Sequence, residues 1–153
     1  MVSPTIAQIG WTAGIIDGEG CISAYGQKRL DPRGTGKVWS LRLTVGNTDM
    51  RMLARLQELW GGNIKRMAKP RNPERHRQAY QWTVNGQEVC RVLRAVRQDL
   101  VVKGEQADLA MEFGVLMRTP GRKRLEEANL QRREELSKQL KKAKVVGLGK
   151  ESS

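Results

Sequence analysis

Histidine is almost missing from this 153-residue chain, where His76 stands alone. Cysteine is scarce too: Cys21 and Cys90 lie far apart, with no CxxC spacing. A zinc site needs clustered thiolates or imidazoles, and a disulfide framework needs several cysteines in a short chain, so neither organises this protein. The two thiols read instead as reduced, semi-buried side chains of a cytoplasmic protein. Long apolar runs are also absent, and none approaches the roughly 18 residues that a membrane-spanning helix needs. The N-terminus has no charged-then-apolar leader. The expectation is a chain that neither spans a membrane nor is secreted.

Acids are few as well, 16 against 28 Lys and Arg, which leaves a formal net charge of +12. At 39% hydrophobic and 29% charged the composition is otherwise that of a soluble globular domain. The length suits one domain with a single core. A positive charge of this size attracts polyanions over long range, and nucleic acid is the commonest of them. Ribosome-associated and membrane-surface proteins share that property, so charge alone does not choose.

Ser3-Pro4 predicts a helix start, with Ser as N-cap and Pro in the first turn. Ile6, Ile9, Ala13 and Ile16 follow at helical spacing, and Gly18 and Gly20 end the helix. Residues 21–29 and 37–46 read as two strands across the turn-rich segment 31–36. Trp39, Leu41, Leu43 and Val45 alternate there with Val38, Ser40, Arg42 and Thr44, as a sheet with one buried face requires. Asn47 or Thr48 is the expected cap of a helix carrying Met52, Leu53, Leu56 and Leu59, closed by Gly61-Gly62. Two more strands are expected at 63–69 and 77–84, across a basic loop containing Arg71 and Arg75. A helix through Val89, Val92, Leu93 and Val96 follows, then another over 103–117. Residues from Pro120 to Val146 are helix-prone, charged and thinly apolar, and read as a surface arm outside the core.

Helix, two strands, helix, two strands, then helices is an α+β arrangement: one antiparallel sheet covered by helices on one face. The open face then carries Ser23, Tyr25, Gln27 and Arg29; Ser40, Arg42 and Thr44; Asn63, Lys65 and Met67; and Arg77, Ala79, Gln81 and Thr83. A polar, basic sheet of this kind suits the DNA major groove, where Arg and Gln read base edges. An ordinary solvated sheet face has the same pattern. Trp39 and Trp82 belong by phase to the core, whereas Tyr25 points to the open side.

Asp17 and Glu19 sit where the first helix ends between glycines. Ala13, Gly14 and Gly18 would let a second helix approach closely and bring two acidic ends together. Paired carboxylates with nearby carbonyls are hard oxygen ligands suited to Mg²⁺, an ion that can polarise a phosphodiester and activate water. On spacing alone, the plainer reading is favoured: two acids ending a helix beside a glycine turn.

The run Trp11-Thr12-Ala13-Gly14-Ile15-Ile16-Asp17-Gly18-Glu19-Gly20-Cys21-Ile22 resembles the LAGLIDADG motif of homing endonucleases. Thr12 stands where Leu is usual, and Glu19 where Asp is commonest. The motif occurs once, and single-motif members of that family are homodimers. By order of elements the likeness extends over residues 5–117. It implies an αββαββα endonuclease domain over 1–118 with a saddle-shaped antiparallel sheet, followed by a charged helical extension over 119–153.

The resemblance also implies roles. Glu19, with the carbonyl of Gly18, would bind the metal, Mg²⁺ with Mn²⁺ or Ca²⁺ as substitutes. Asn47, after the second strand, would position water or metal. Lys103, in Lys103-Gly104-Glu105-Gln106-Ala107, would lie near the scissile phosphate. Ala13, Gly14, Asp17 and Gly18 would form the dimer seam, with Asp17 in a supporting rather than ligating role. Arg29, Arg33, Lys37, Arg71 and Arg75 would hold phosphates. Strand positions Ser23, Tyr25, Gln27, Ser40, Arg42, Thr44, Lys65, Arg77 and Gln81 would face the bases.

The implied partners are double-stranded DNA and a second copy, with the chain's own intron RNA a further candidate and no membrane. The implied location is the cytoplasm or nucleoid of a bacterial, phage or archaeal host, or an organelle. The implied reaction is Mg²⁺-dependent cleavage of both strands of a long pseudo-palindromic target, leaving 3′ overhangs. A non-cleaving nucleic-acid-binding protein on the same scaffold, such as an intron maturase or a regulator, is the alternative.

Overall fold

A computed structural model describes residues 3–28, 37–118 and 127–146. Their elements run α1 (Ile6–Glu19), β1 (Gly20–Lys28), β2 (Lys37–Asn47), α2 (Met50–Trp60), β3 (Asn63–Arg66), β4 (Tyr80–Asn85), α3 (Gln87–Val96), α4 (Gly104–Met117) and α5 (Glu127–Val146), with one 3₁₀ turn at Arg97–Asp99. The strands form one antiparallel sheet in the order β1-β2-β4-β3. This is the α+β layer expected from the alternation in β2.

Register fixes the two faces. Ile22 lies opposite Leu43 and Ala24 opposite Leu41, while Leu43 faces Val84 and Val45 faces Trp82 across β4. These side chains are buried together with Leu53, Leu56 and Trp60 of α2, the apolar face of α3, and Phe113 of α4. The helices therefore cover this side. On the other side Ser23 pairs with Arg42, Tyr25 with Ser40, Thr44 with Thr83 and Lys65 with Gln81. Asn63 and Lys65 do share the phase of Thr83 and Gln81.

Local chemistry shifts several boundaries. α1 begins at Ile6, because Thr5 accepts from Gln8 N while the Gln8 side chain accepts from Thr5 N. That reciprocal capping box satisfies two helix-start donors at once, which Ser3-Pro4 cannot do. Asp49, rather than Asn47 or Thr48, caps α2 by accepting from Arg51 N at 2.9 Å. β3 and β4 are shorter than expected, since Pro70 and Pro73 between them have no N–H to give a ladder. Met67 N still reaches Ala79 O at 3.0 Å, just past the end of β3. The loop residues Arg29 and Arg33 lie outside the described residues.

The largest departure is α5. It is no free arm: it packs on α4 and on β1, the edge strand, with Leu136 1% and Leu140 2% exposed. Arg133 is buried beside them, donating to Leu116 O at 2.7 Å and to Asn129 Oδ1, with its guanidinium 5.8 Å from the Trp39 ring. Its long stem supplies packing area as well as charge. Cys90 is buried and Cys21 exposed, so only one of the two thiols is sheltered.

Candidate active site at the end of the motif helix

The two sides of α1 do different things. Thr12, Ala13 and Ile16 turn into the core and have no exposed surface. Thr12 replaces the usual leucine with a hydroxyl that is fully used: it donates to Gln8 O at 2.8 Å and accepts from Trp60 Nε1 at 2.9 Å. The buried indole N–H is thereby satisfied. On the opposite side a Cβ added at Gly10, Gly14 or Gly18 would meet nothing within 4 Å. Those three glycines, four residues apart, lie with Trp11 on one outward strip.

Of the four residues expected at a helix seam, Gly14 and Gly18 thus lie on the outward side. Ala13 does not, because its side chain is packed inside its own chain. Gly10 and Trp11 extend the strip, and the i, i+4 repeat of glycine was the signal for it.

Asp17 is also turned inward. Its carboxylate accepts from the backbone N–H groups of Val101 at 2.8 Å, Val102 at 3.0 Å and Lys103 at 3.0 Å. Three donors on one carboxylate hold the segment ahead of α4 against the end of α1. The Lys103 ammonium then donates to Asp17 O at 2.7 Å, one of the helix's last carbonyls. Lysine is favoured at that negative end of the helix dipole. So Asp17 fixes the lysine, whose ammonium sits on a carbonyl two residues before Glu19.

Glu19 closes α1, exposed and with no hydrogen bond to its carboxylate among the described residues. Gly20 begins β1 at once, with no loop between. A Cβ there would lie 2.6 Å from Ile16 O and 2.9 Å from Ile16 Cα. Only glycine lets the strand leave the helix this tightly, which keeps Glu19 at the rim of the sheet.

Asn47 ends β2 two residues beyond Val45, the partner of Gly20, and so lies at the same end of the sheet. Its Oδ1 accepts from Asp49 N at 2.7 Å, leaving the amide NH₂ to act as donor. Cys21 follows Gly20 directly and is exposed. Burial pushes its thiol up, but the Ser23 hydrogen bond and the charges of Lys144 and Lys103 outweigh this and leave it below its usual pKa.

The open face brings together Ser23, Tyr25, Gln27, Ser40, Arg42, Thr44, Lys65 and Gln81. Asn85, not anticipated, accepts from Arg42 Nε at 3.3 Å and so orients that guanidinium. Arg71, Arg75 and Arg77 are exposed in the β3–β4 loop. Lys37 is different. It begins β2 in the phase of the covered face, its ammonium is paired with Glu134 of α5, and it lies 5.6 Å from the Trp39 ring. It is not the free loop cation that the sequence suggested.

No cluster of three His, Cys, Asp or Glu able to hold a metal exists among the described residues. Among the described residues, the hard-cation donors at this corner are Glu19 and the adjacent carbonyls. These oxygens fit Mg²⁺ in donor chemistry but are too few to fill its coordination shell.

No family model matches the sequence, and no curated protein matches it. Solved structures do. The homing endonuclease I-CvuI, solved in complex with DNA, superposes with a TM-score of 0.72 at 20% identity, over 90% of this chain and 82% of that one. The homing endonuclease I-TnaI gives 0.62 at 15% identity, over 95% of this chain and 99% of its own. The LAGLIDADG homing endonuclease I-SmaMI, bound to cleaved DNA, gives 0.67 at 16% identity, with 94% of this chain on 47% of that one. With its motif helix, its open four-stranded sheet and its covering helices, the chain carries the LAGLIDADG homing-endonuclease fold.

Proposed function

We propose that this protein is a site-specific DNA endonuclease that acts as a homodimer and hydrolyses both strands of a long pseudo-palindromic duplex with Mg²⁺. The observation behind this is the end of α1, where Glu19, an exposed carboxylate with no hydrogen bond among the described residues, follows two positions after Asp17, which fixes Lys103, at the rim of a basic open sheet. A basic surface alone requires no such arrangement.

The single carboxylate supports dimerisation. Two copies packed along Gly10, Gly14 and Gly18 would bring two Glu19 carboxylates together, doubling the carboxylate donors available to a cation. I-SmaMI has about twice the chain length over which this fold matches, as expected where two such units are joined.

Within each half, Glu19 and the Gly18 carbonyl would hold the ion, which supplies phosphodiester polarisation and an activated water. The Lys103 ammonium offsets negative charge that builds on the phosphate as the water attacks and the P–O bond to the leaving 3′ oxygen breaks. The Asn47 amide NH₂ donates to the incoming water. Arg71, Arg75 and Arg77 anchor the backbone, while Arg42, Gln81, Gln27 and Lys65 face the base edges. Cleavage across the minor groove would leave 3′ overhangs.

Glu19→Gln keeps the size but removes the charge and one acceptor oxygen. It should lower cleavage by about a hundredfold or more while DNA binding without metal persists. The check is nicking of a plasmid carrying the joined exon sequences that flank the gene, with Mg²⁺ and with EDTA. Cutting by the variant at the wild-type rate overturns the assignment. Tight binding by the wild-type protein without any cutting favours a maturase or regulator instead.

A further inference from the structure

The lysine-rich end of α5 is unused in that reading. Charge is segregated along this helix. Its first half carries both signs and uses them within the fold: Arg132 bonds Glu112 at 2.7 Å and Glu135 at 2.9 Å, and Glu134 holds Lys37. From Leu136 to Val146 there are four lysines and no acid. None of the four has an ion-pair partner among the described residues.

Burial of Leu136, Ser137 and Leu140 sets the rotation of the helix. Lys141 and Lys144 are thereby turned toward β1, where they line a cleft of about 330 Å³ with Ser23 and Tyr25. The Lys144 ammonium lies 3.5 Å from Ser23 Oγ and 3.5 Å from Cys21 Sγ. Both of those residues lie on the open face, and Cys21 is two positions past Glu19. Lys138 and Lys142 are exposed and do not line the cleft.

We propose that Lys141 and Lys144 form a phosphate-binding site for the backbone of duplex DNA, at the corner of the open sheet nearest Glu19. The assignment rests on the DNA-binding reading above. Ammonium groups are compact point charges suited to phosphate oxygens without reading sequence. Their position changes the task of the strand beneath. Ser23 lies under Lys144, so contacts at this corner are ionic, and base reading moves to Gln27, Arg42 and β4. Two neutralised phosphates next to the scissile position would hold the strand still where Lys103 and Glu19 act.

The experiment compares two double variants of equal charge loss, Lys141→Gln with Lys144→Gln, and Lys138→Gln with Lys142→Gln. Binding to linear duplex DNA of arbitrary sequence is measured over a range of salt. The first pair should make the slope of log K against log salt shallower by about 3.6, the worth of four phosphate contacts per dimer, two from each subunit. The second pair should leave it close to wild type. Equal slopes for both pairs, or no change in either, overturn the α5 site while leaving the DNA reading intact. Failure of the wild-type protein to bind duplex DNA overturns both. Matching circular dichroism and melting curves for the two pairs establish that the contrast is not one of folding.

Discussion

α1 and α5 end at the same corner of the molecule, yet they reach it by opposite means. α1 is short of charge and buries a polar pair, Thr12 with Trp60, in its inner side. α5 is dense in charge and buries two leucines and an arginine stem. α1 delivers one carboxylate, and α5 delivers lysines. Helix polarity explains the contrast in part. Both elements present their C-terminal ends here, where cations are favoured and an anion is not. Glu19 therefore stands against the helix dipole, whereas Lys103 on the Asp17 carbonyl and Lys144 at the end of α5 stand with it.

Breaking the α5 side of this comparison should have the largest effect on stability. Leu136→Ala removes a buried anchor from a helix with few others, at a cost of about 2–5 kcal/mol, read as a lower midpoint in urea unfolding. A change within experimental error would mean that α5 is the loose arm its sequence suggested. Asp17→Asn sharpens the α1 side. An amide accepts fewer of the three N–H bonds, so Lys103 shifts, and misplacement of this order costs on the order of a hundredfold in rate. DNA affinity should hold, so the loss should appear in single-turnover cleavage on saturated DNA and not in Kd. A matching loss of affinity would mean that Asp17 supports the fold and not the lysine. Thr12→Val has the smallest expected effect. It keeps the shape but orphans the Trp60 indole N–H, at about 1–3 kcal/mol. Thr12→Ser should recover most of that in thermal melts.

The same two helices show what the sequence discloses. In β2 the alternation of Leu41, Leu43 and Val45 with Ser40, Arg42 and Thr44 is local, and it sets the faces of the whole sheet. The motif run is local as well, so Glu19, Gly14 and Gly18 are visible in it, whereas Gly10 and Trp11 lie just ahead of the motif's core and are not. Contacts between distant residues were not. Lys37 meets Glu134 ninety-seven positions away, and Thr12 meets Trp60 forty-eight away, with no periodicity to announce either. The packing of α5 is hidden in the sequence because Leu136 and Leu140 are few among many charges. The burial of the Arg133 stem and of Ser137, which completes its inner side, reads in sequence as polarity. Asp17 was expected to serve a neighbouring helix, and its actual partners are three backbone N–H groups that no side-chain pattern records.

The absence of any residue between α1 and β1 has a mechanical consequence. With Gly20 pressed against Ile16, helix and strand form one stiff piece that cannot flex at the joint. In a pair of chains, the crossing angle of the two glycine strips would set the tilt of both sheets, and so the distance between the two stretches of sequence they grip. A substitution that thickens the strip, such as Ala at Gly14, would act like moving the jaws of a caliper, changing which spacing of half-sites fits before it changes any contact with a base.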